Sequence, residues 1–235
     1  MNTVIVIPTY NEKDNIRPLT EEIFKVTPDI TILIVDDNSP DGTGVIADEL
    51  SKKSAHIKVL HKERKEGLGG AYIAGFKEAL KMNPDYIIQM DADFSHHPRY
   101  IPLLLNEAAY FDIVSGSRFV SGYKLSSNIG LLSFCANRYT KWILGLKVCD
   151  PLSGFKCLRR EVIEKIRLDK FISKGFIFQG EFLYWASKLN LSIREIPIDF
   201  LSRRSGRSKK TIRVISEAVL ELNLLLLQNK EYHDN

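Results

Sequence analysis

The chain opens on an unbroken apolar and β-branched run, residues 3–8 (TVIVIP), and the apolar positions Ile16, Leu19, Ile23 and Val26 then recur every three to four residues. A continuous run of that length fits a strand buried on both faces, and the wider spacing predicts a helix over 11–26 with one apolar stripe. The alternation repeats. A second strand run, 31–35, stops at Asp36, Asp37, Asn38 and Ser39, and after the turn SPDG a second helix follows over 43–53. Residues 57–61 give a third strand, and KEGLGGAYIAGFKEALK becomes helical from about Leu68. Residues 85–90 (DYIIQM) give a fourth strand that stops at DAD. Pro98 suits the first turn of the next helix, and 112–115 gives a short fifth strand. Strands alternating with helices imply an α/β fold, a mostly parallel central sheet flanked by helices.

The second half is less regular. A helix is predicted over 129–145, a strand over 154–158, a helix over 180–189 and a strand over 192–197. A basic loop, 202–210 (SRRSGRSKK), precedes a closing helix over 211–228 with Ile212, Ile215, Val219, Leu222 and Leu226 on one face. No linker separates the halves, so residues 1–235 read as one domain.

Composition narrows the class. Apolar residues make up 44% and aromatics 10% of the chain, with no biased tract, which excludes collagen-like and disordered chains. Lys and Arg number 33 against 29 Asp and Glu, a net charge of +4, but the basic character is local. Arg203, Arg204, Arg207, Lys209, Lys210 and Arg213 crowd one stretch against Asp199 alone. Such a cluster points to one anionic ligand or surface and away from nucleic acid, which needs a broad basic face. The cysteines Cys135, Cys149 and Cys157 show no ligand spacing, and no leader pattern opens the chain, so a reducing, cytoplasmic setting is expected. The apolar stretch 214–227 is interrupted by Ser216, Glu217, Glu221 and Asn223 and is too short for a ~30 Å hydrocarbon core.

In an open parallel sheet, ligands bind outside the carboxyl ends of the strands. That rule selects Pro8, Thr9, Tyr10, Asn11 and Glu12, then Asp36 and Asp37, then Asp91, Ala92 and Asp93. Carboxylates gathered at one edge need a cation, hydrogen-bond donors or sugar hydroxyls to compensate them. Asp91 and Asp93, one residue apart in extended backbone, can project to one side and share a divalent metal with ligand phosphates. Hard oxygen ligands favour Mg²⁺ or Mn²⁺ over zinc. A lone D-x-D is often only a turn or cap, but here it follows a buried strand and two other strand ends finish in carboxylates. His96 and His97 read as loop or helix-entry residues. Gly67, Gly69, Gly70 and Gly75 match no phosphate-loop or dinucleotide fingerprint and leave two readings open: backbone N–H groups for a phosphate, or tight helix-to-strand packing.

In this order and spacing VIVIPTYNE, IVDDNSPDGT, GLGGAYIAGF, MDADFSHHP, DIVSGSRF and SRRSGRSKK resemble the family 2 glycosyltransferases of GT-A fold, from about residue 3 to about residue 228. Within that family the chain is most like the dolichyl-phosphate and polyprenol monophosphate mannose synthases. The resemblance implies metal-dependent, inverting transfer of mannose from GDP-mannose to a dolichyl or polyprenyl phosphate. It makes 1–120 the nucleotide-sugar-binding half and 121–235 the acceptor-side half. Pro8, Tyr10 and Glu12 would line the guanosine pocket, with Val35 and Asp37 beside base and ribose. Asp91, Ala92 and Asp93 would hold the diphosphate and metal. Arg118, Arg203 and Lys209 match the family's basic contacts to donor and acceptor phosphates, and Asp93, Arg118 and Arg203 would carry catalysis. Gln179 and Glu181 fall in a segment that lies under the family's active site.

Two departures stand out. Ser95 occupies a position where some relatives place a glutamine metal ligand, and 129–134 (IGLLSF) lacks the basic residues many relatives have, leaving Lys124 and Arg138 as substitutes. Many relatives also have C-terminal membrane spans; here the closing helix would pack on protein or touch a bilayer, and a lipid acceptor implies peripheral membrane contact or a separate anchoring subunit. The alternatives are a family 2 transferase using UDP-glucose or another donor with a different acceptor, and a noncatalytic nucleotide-sugar-binding protein.

Overall fold

Every residue of β1 (Thr3–Thr9) is buried, as its continuous apolar run requires, and the strand lies inside the sheet, parallel to β2 (Thr31–Asp36) and β4 (Tyr86–Gln89). The computed structural model describes residues 1–120, 131–199 and 220–227. With β3 (Ile57–His61), β5 (Ile113–Ser117), β6 (Lys156–Arg159) and β7 (Ile193–Pro197) these strands form one seven-stranded sheet in the order β3-β2-β1-β4-β6-β5-β7. All pairings are parallel except those of β6, which runs antiparallel to both β4 and β5. Strands from both halves of the chain therefore share one sheet.

The helices cover its two faces. On one, α1 (Ile16–Val26), α2 (Thr43–Lys53) and α4 (Ile101–Ala108) pack on Ile5, Ile7, Ile34, Ile88 and Val114. On the other, α3 (Gly67–Leu80), α7 (Phe178–Lys188) and α8 (residues 220–227) pack on Val4, Val6, Val35, Ile87 and Leu158. The remaining helices are α5 (Leu131–Ile143) and the short α6 (Arg160–Lys165).

Some bounds differ from the sequence pattern. The first helix begins at Ile16 and not at residue 11, because Asn11 takes a left-handed φ of 61° and the N–H groups of Asn15 and Ile16 both close on the Glu12 carbonyl in a separate turn. A 3-10 turn, Pro98–Tyr100, precedes α4, and α6 was not anticipated from the pattern. The basic loop 202–210 and most of the expected closing helix lie outside the described residues.

Strand periodicity sets the height of each side chain above the core. On the α3 and α7 face, β4 presents Ile87 and then Gln89, and β6, running the other way, presents Leu158 opposite Ile87 and Lys156 opposite Gln89. One step higher in each chain come Asp91 and Gly154. An apolar layer, a polar layer and an acidic edge are thus stacked along adjacent strands, at the carboxyl ends beside β1, which has β2 on one side and β4 on the other.

Candidate active site

The carboxylates that end β2 are satisfied by the protein's own donors. Asp36 accepts the Ser39 hydroxyl at 2.5 Å and the Thr9 hydroxyl at 3.3 Å. Asp37 is buried and accepts the N–H groups of Glu66 and Gly67, each at 2.9 Å, with the Lys62 ammonium 3.6 Å away. Of the compensations open to these acids, hydrogen-bond donors and, at Asp37, the Lys62 cation are observed, which leaves Asp91 and Asp93 as the other acids of the strand ends.

The same contacts decide the glycine segment. Besides the two donors to Asp37, the Gly69 N–H donates to the Lys174 carbonyl at 2.9 Å, so the entry of α3 has protein acceptors. A Cβ at Gly69 would fall 2.4 Å from the Ser173 carbonyl oxygen, and one at Gly75 would fall 2.4 Å from Val6 Cγ1 and 3.0 Å from Val35 Cγ2. Gly67 adds a φ of +83°. Close backbone packing accounts for these glycines; a phosphate is not needed to explain them.

Around the ends of β1 and β2, Tyr10 is half-buried with the Lys65 ammonium 3.6 Å above its ring. Glu12 donates its N–H to the Thr43 hydroxyl at 2.9 Å, and its carboxylate takes the Asn15 side-chain amide at 2.7 Å. Pro8 is buried in register with Val35, and the Val35 side chain is fully buried in the core against α3.

Asp91 is held on three sides. Its Oδ1 accepts the Tyr72 phenol at 3.1 Å, its N–H donates to His96 Nδ1 at 3.4 Å, and a Cβ at Gly154 would stand 3.1 Å from both carboxylate oxygens. About a third of its side chain (32%) stays exposed. Asp93 is buried and its Oδ1 accepts the Ser95 N–H at 3.0 Å, in a turn where Phe94 has a φ of 64°. Ala92 is buried between them. Both carboxylates bear on the same two neighbours: burial first, and then Asp91 and Asp93, push the Tyr72 phenol well above its ordinary value, and the same pair opposes the burial that lowers His96. His96 is thus a buried, neutral acceptor stacked on Phe155, whereas His97 caps the 3-10 turn by accepting the Arg99 N–H at 3.2 Å.

Around the expected residues Arg118 and Glu181 stand three that the sequence did not single out, Asp150, Glu195 and Lys156. Arg118, at the end of β5, forms a two-pronged pair with the fully buried Asp150, at 2.7 Å on both prongs, and donates its backbone N–H to the same carboxylate. Glu195 on β7 in turn accepts the N–H groups of Cys149 and Asp150, at 2.6 and 2.8 Å, and so fixes the backbone that carries Asp150. Lys156, wholly buried beneath Asp91, donates to the Ser153 carbonyl and to Gln179 Oε1. Burial, partly offset by Asp150 and Asp91, lowers its pKa to about 7. Glu181 is buried and accepts the Ile172 and Ser173 N–H groups at 3.1 and 2.8 Å, so it clamps a loop.

Arg203, Lys209 and Lys124 lie outside the described residues, and Arg138 is exposed on α5. Described residues on either side of 200–219, Asp199 and Glu221, are anchored. Asp199 binds Arg99 at 2.5 Å and the Tyr100 hydroxyl at 2.9 Å, while Glu221 accepts the Lys174 N–H at 3.2 Å beside the entry of α3.

A mostly parallel sheet with one reversed strand, whose switch point carries an acidic D-x-D turn, is the arrangement of a GT-A glycosyltransferase. Residues 4–167 match the model of glycosyl transferase family 2, and the chain belongs to that family. It is 37% identical over 225 residues to the undecaprenyl-phosphate mannosyltransferase of Micrococcus luteus, covering 94% of this chain and 93% of that one. With the polyprenol monophosphomannose synthase of Mycolicibacterium smegmatis it shares 39% identity over 225 residues, 94% of this chain and 85% of the relative. Among solved structures, the glucosyl-3-phosphoglycerate synthase of Mycobacterium tuberculosis with Mn²⁺ and UDP-glucose superposes with a TM-score of 0.67 at 18% identity, over 97% of this chain and 79% of the other. A mannosyltransferase of Pyrobaculum calidifontis with GDP-mannose and Mn²⁺ gives 0.61 at 14%, over 88% and 58%. At those identities the structures speak for the fold alone.

Proposed function

We propose that this chain transfers mannose, with inversion, from GDP-mannose to a dolichyl or polyprenyl phosphate. The observation that carries the reading is the near full-length likeness to two enzymes named for mannosyl transfer to polyprenyl carriers, in a chain that keeps the Asp91 and Asp93 pair at its strand-end crevice.

The pair fits Mg²⁺ or Mn²⁺. It offers hard oxygen donors on one side, and among the described residues no group of three or more His, Cys, Asp or Glu could hold an ion without help. That donor set suits a metal that completes its shell on phosphate oxygens, with Asp91 and Asp93 as the protein ligands. Bound there, the ion would supply positive charge to the departing diphosphate. Tyr10, with Lys65 over its ring, Glu12, Asp37 and the backbone around Pro8 and Val35 are the groups we assign to the nucleoside, and Ala92 lies between the two metal-binding carboxylates.

No protein base is required. A phosphomonoester has a second pKa of about 6, so the acceptor reaches pH 7 largely as its dianion, ready to attack C1. The buried acids nearby support this: Glu181 accepts backbone N–H groups with both oxygens, and Asp150 is paired with Arg118. What the chain contributes is alignment and charge. Arg118, with Arg203 and Lys209 of the basic segment, is assigned to the two anions that must approach each other.

The test is a partition assay. Purified protein, Mn²⁺ or Mg²⁺, labelled GDP-mannose and a short polyprenyl phosphate should move label into the organic phase, and metal chelation should stop it. Transfer from UDP-glucose in preference to GDP-mannose would overturn the donor assignment, and ligand binding without turnover for every donor and acceptor would overturn the reaction.

A further inference from the structure

We infer that Tyr72 is a positioning residue for this site: its phenol orients the Asp91 carboxylate toward the metal and diphosphate. The inference rests on the reading of Asp91 and Asp93 as metal ligands given above. Tyr72 belongs to the glycine-rich segment that opens α3, where its ring does the work of a core aromatic, stacked at 5.8 Å on both Phe76 and Phe178. A phenylalanine would fill that slot equally well. The hydroxyl alone departs from the apolar layer, and it reaches Asp91 Oδ1 at 3.1 Å.

Two other contacts make that bond directional. Gly154 of the chain leading into β6 stands so close that even a methyl group would press on both carboxylate oxygens at 3.1 Å, and the backbone of Asp91 is tied to His96. With one face against Gly154 and one oxygen on the phenol, the carboxylate presents its exposed third outward, away from the core. Partners that orient a metal-ligating group characteristically account for about 10- to 100-fold in metal affinity, because without them the ligand samples unproductive orientations.

The deciding variant is Tyr72→Phe, which keeps the ring and removes only the hydroxyl. Mn²⁺ affinity in the presence of GDP, followed by the loss of the free Mn²⁺ electron paramagnetic resonance signal, should fall about tenfold, and the melting temperature should stay within about 2 °C of wild type. In turnover assays the Mn²⁺ concentration for half-activation should rise by a similar factor, with kcat at saturating metal largely recovered. Equal Mn²⁺ affinity in wild type and Tyr72→Phe, with Asp91→Asn strongly impaired, would overturn the role of Tyr72 and leave the metal site standing. Wild-type protein that binds no Mn²⁺ with GDP, or an Asp91→Asn variant that binds it normally, would remove the site and this inference with it. A large drop in melting temperature for Tyr72→Phe would also count against the proposal, since it would make the hydroxyl a structural group.

Discussion

Asp93 is the residue at which burial and chemistry conflict most directly. Its carboxylate is almost wholly buried (4% exposed) and accepts the Ser95 N–H, yet it lies close enough to Asp91 for both to act on Tyr72 and His96. Two acids so placed repel each other, and the divalent ion proposed above would relieve that repulsion. Asp93→Asn preserves shape and the Ser95 contact while removing the charge. It should cut kcat by at least ~10²-fold with little loss of thermal stability, read by the partition assay and a melting curve. Wild-type turnover in this variant would count directly against the metal assignment. Arg118 raises the opposite problem, a cation that needs a buried partner. In Asp150→Ala the guanidinium would lose that partner in the interior, and we expect urea denaturation to show about 3–5 kcal/mol of lost stability.

Among the elements, α3 and β6 are where local pattern and tertiary demand part company. The helical spacing of GLGGAYIAGF was legible, but the reason for its glycines was not, because Val6, Val35 and the Ser173–Lys174 backbone approach it only in the folded chain. Gly75→Ala should therefore destabilise the fold by about 1–3 kcal/mol, even though alanine is the better helix former, with urea unfolding as the measure. Strand β6 hides a second such case. Lys156 was not singled out in the sequence, and its burial follows only from the pairing of β6 between β4 and β5. With its pKa lowered from 10.5 to about 7 in the folded state, the unfolded chain binds the extra proton between those values. Stability should therefore rise with pH across that window, and the contribution is lost as pH falls toward 7. Compared with Lys156→Met, wild type should gain up to about 1.4 kcal/mol per pH unit between pH 7 and 9.5 in urea unfolding. Parallel profiles for the two proteins would mean that Lys156 keeps its proton when buried.

For the molecule as a whole, the strand-end rule located Asp91 and Asp93 from sequence because four apolar runs fixed the strands whose ends they share. The sheet's single reversal was beyond such a rule: β6 enters between two strands that precede it in the chain, and only long-range pairing reports that. Asp150 and Glu195 were missed for the same reason, since Asp150 pairs with Arg118, 32 residues away, and Glu195 with the Cys149 and Asp150 backbone, at least 45 residues away. The surface shows a further division of labour. Helix α8 buries Leu222 and Leu225 in the core and leaves Leu220, Leu224 and Leu227 exposed, at 63%, 55% and 61%, along its opposite side. Among the described residues no helix is long and apolar enough to cross a membrane; the lipid-borne acceptor proposed above calls for contact with a bilayer surface. Three exposed leucines spaced one turn apart on a helix anchored from below are suited to that contact. Replacing all three by serine should reduce co-sedimentation with anionic phospholipid vesicles several-fold, while turnover on a short, detergent-dispersed acceptor stays near wild type. Unchanged vesicle binding would move the contact elsewhere on the surface, and parallel loss of both activities would show that the leucines serve the fold and not the membrane.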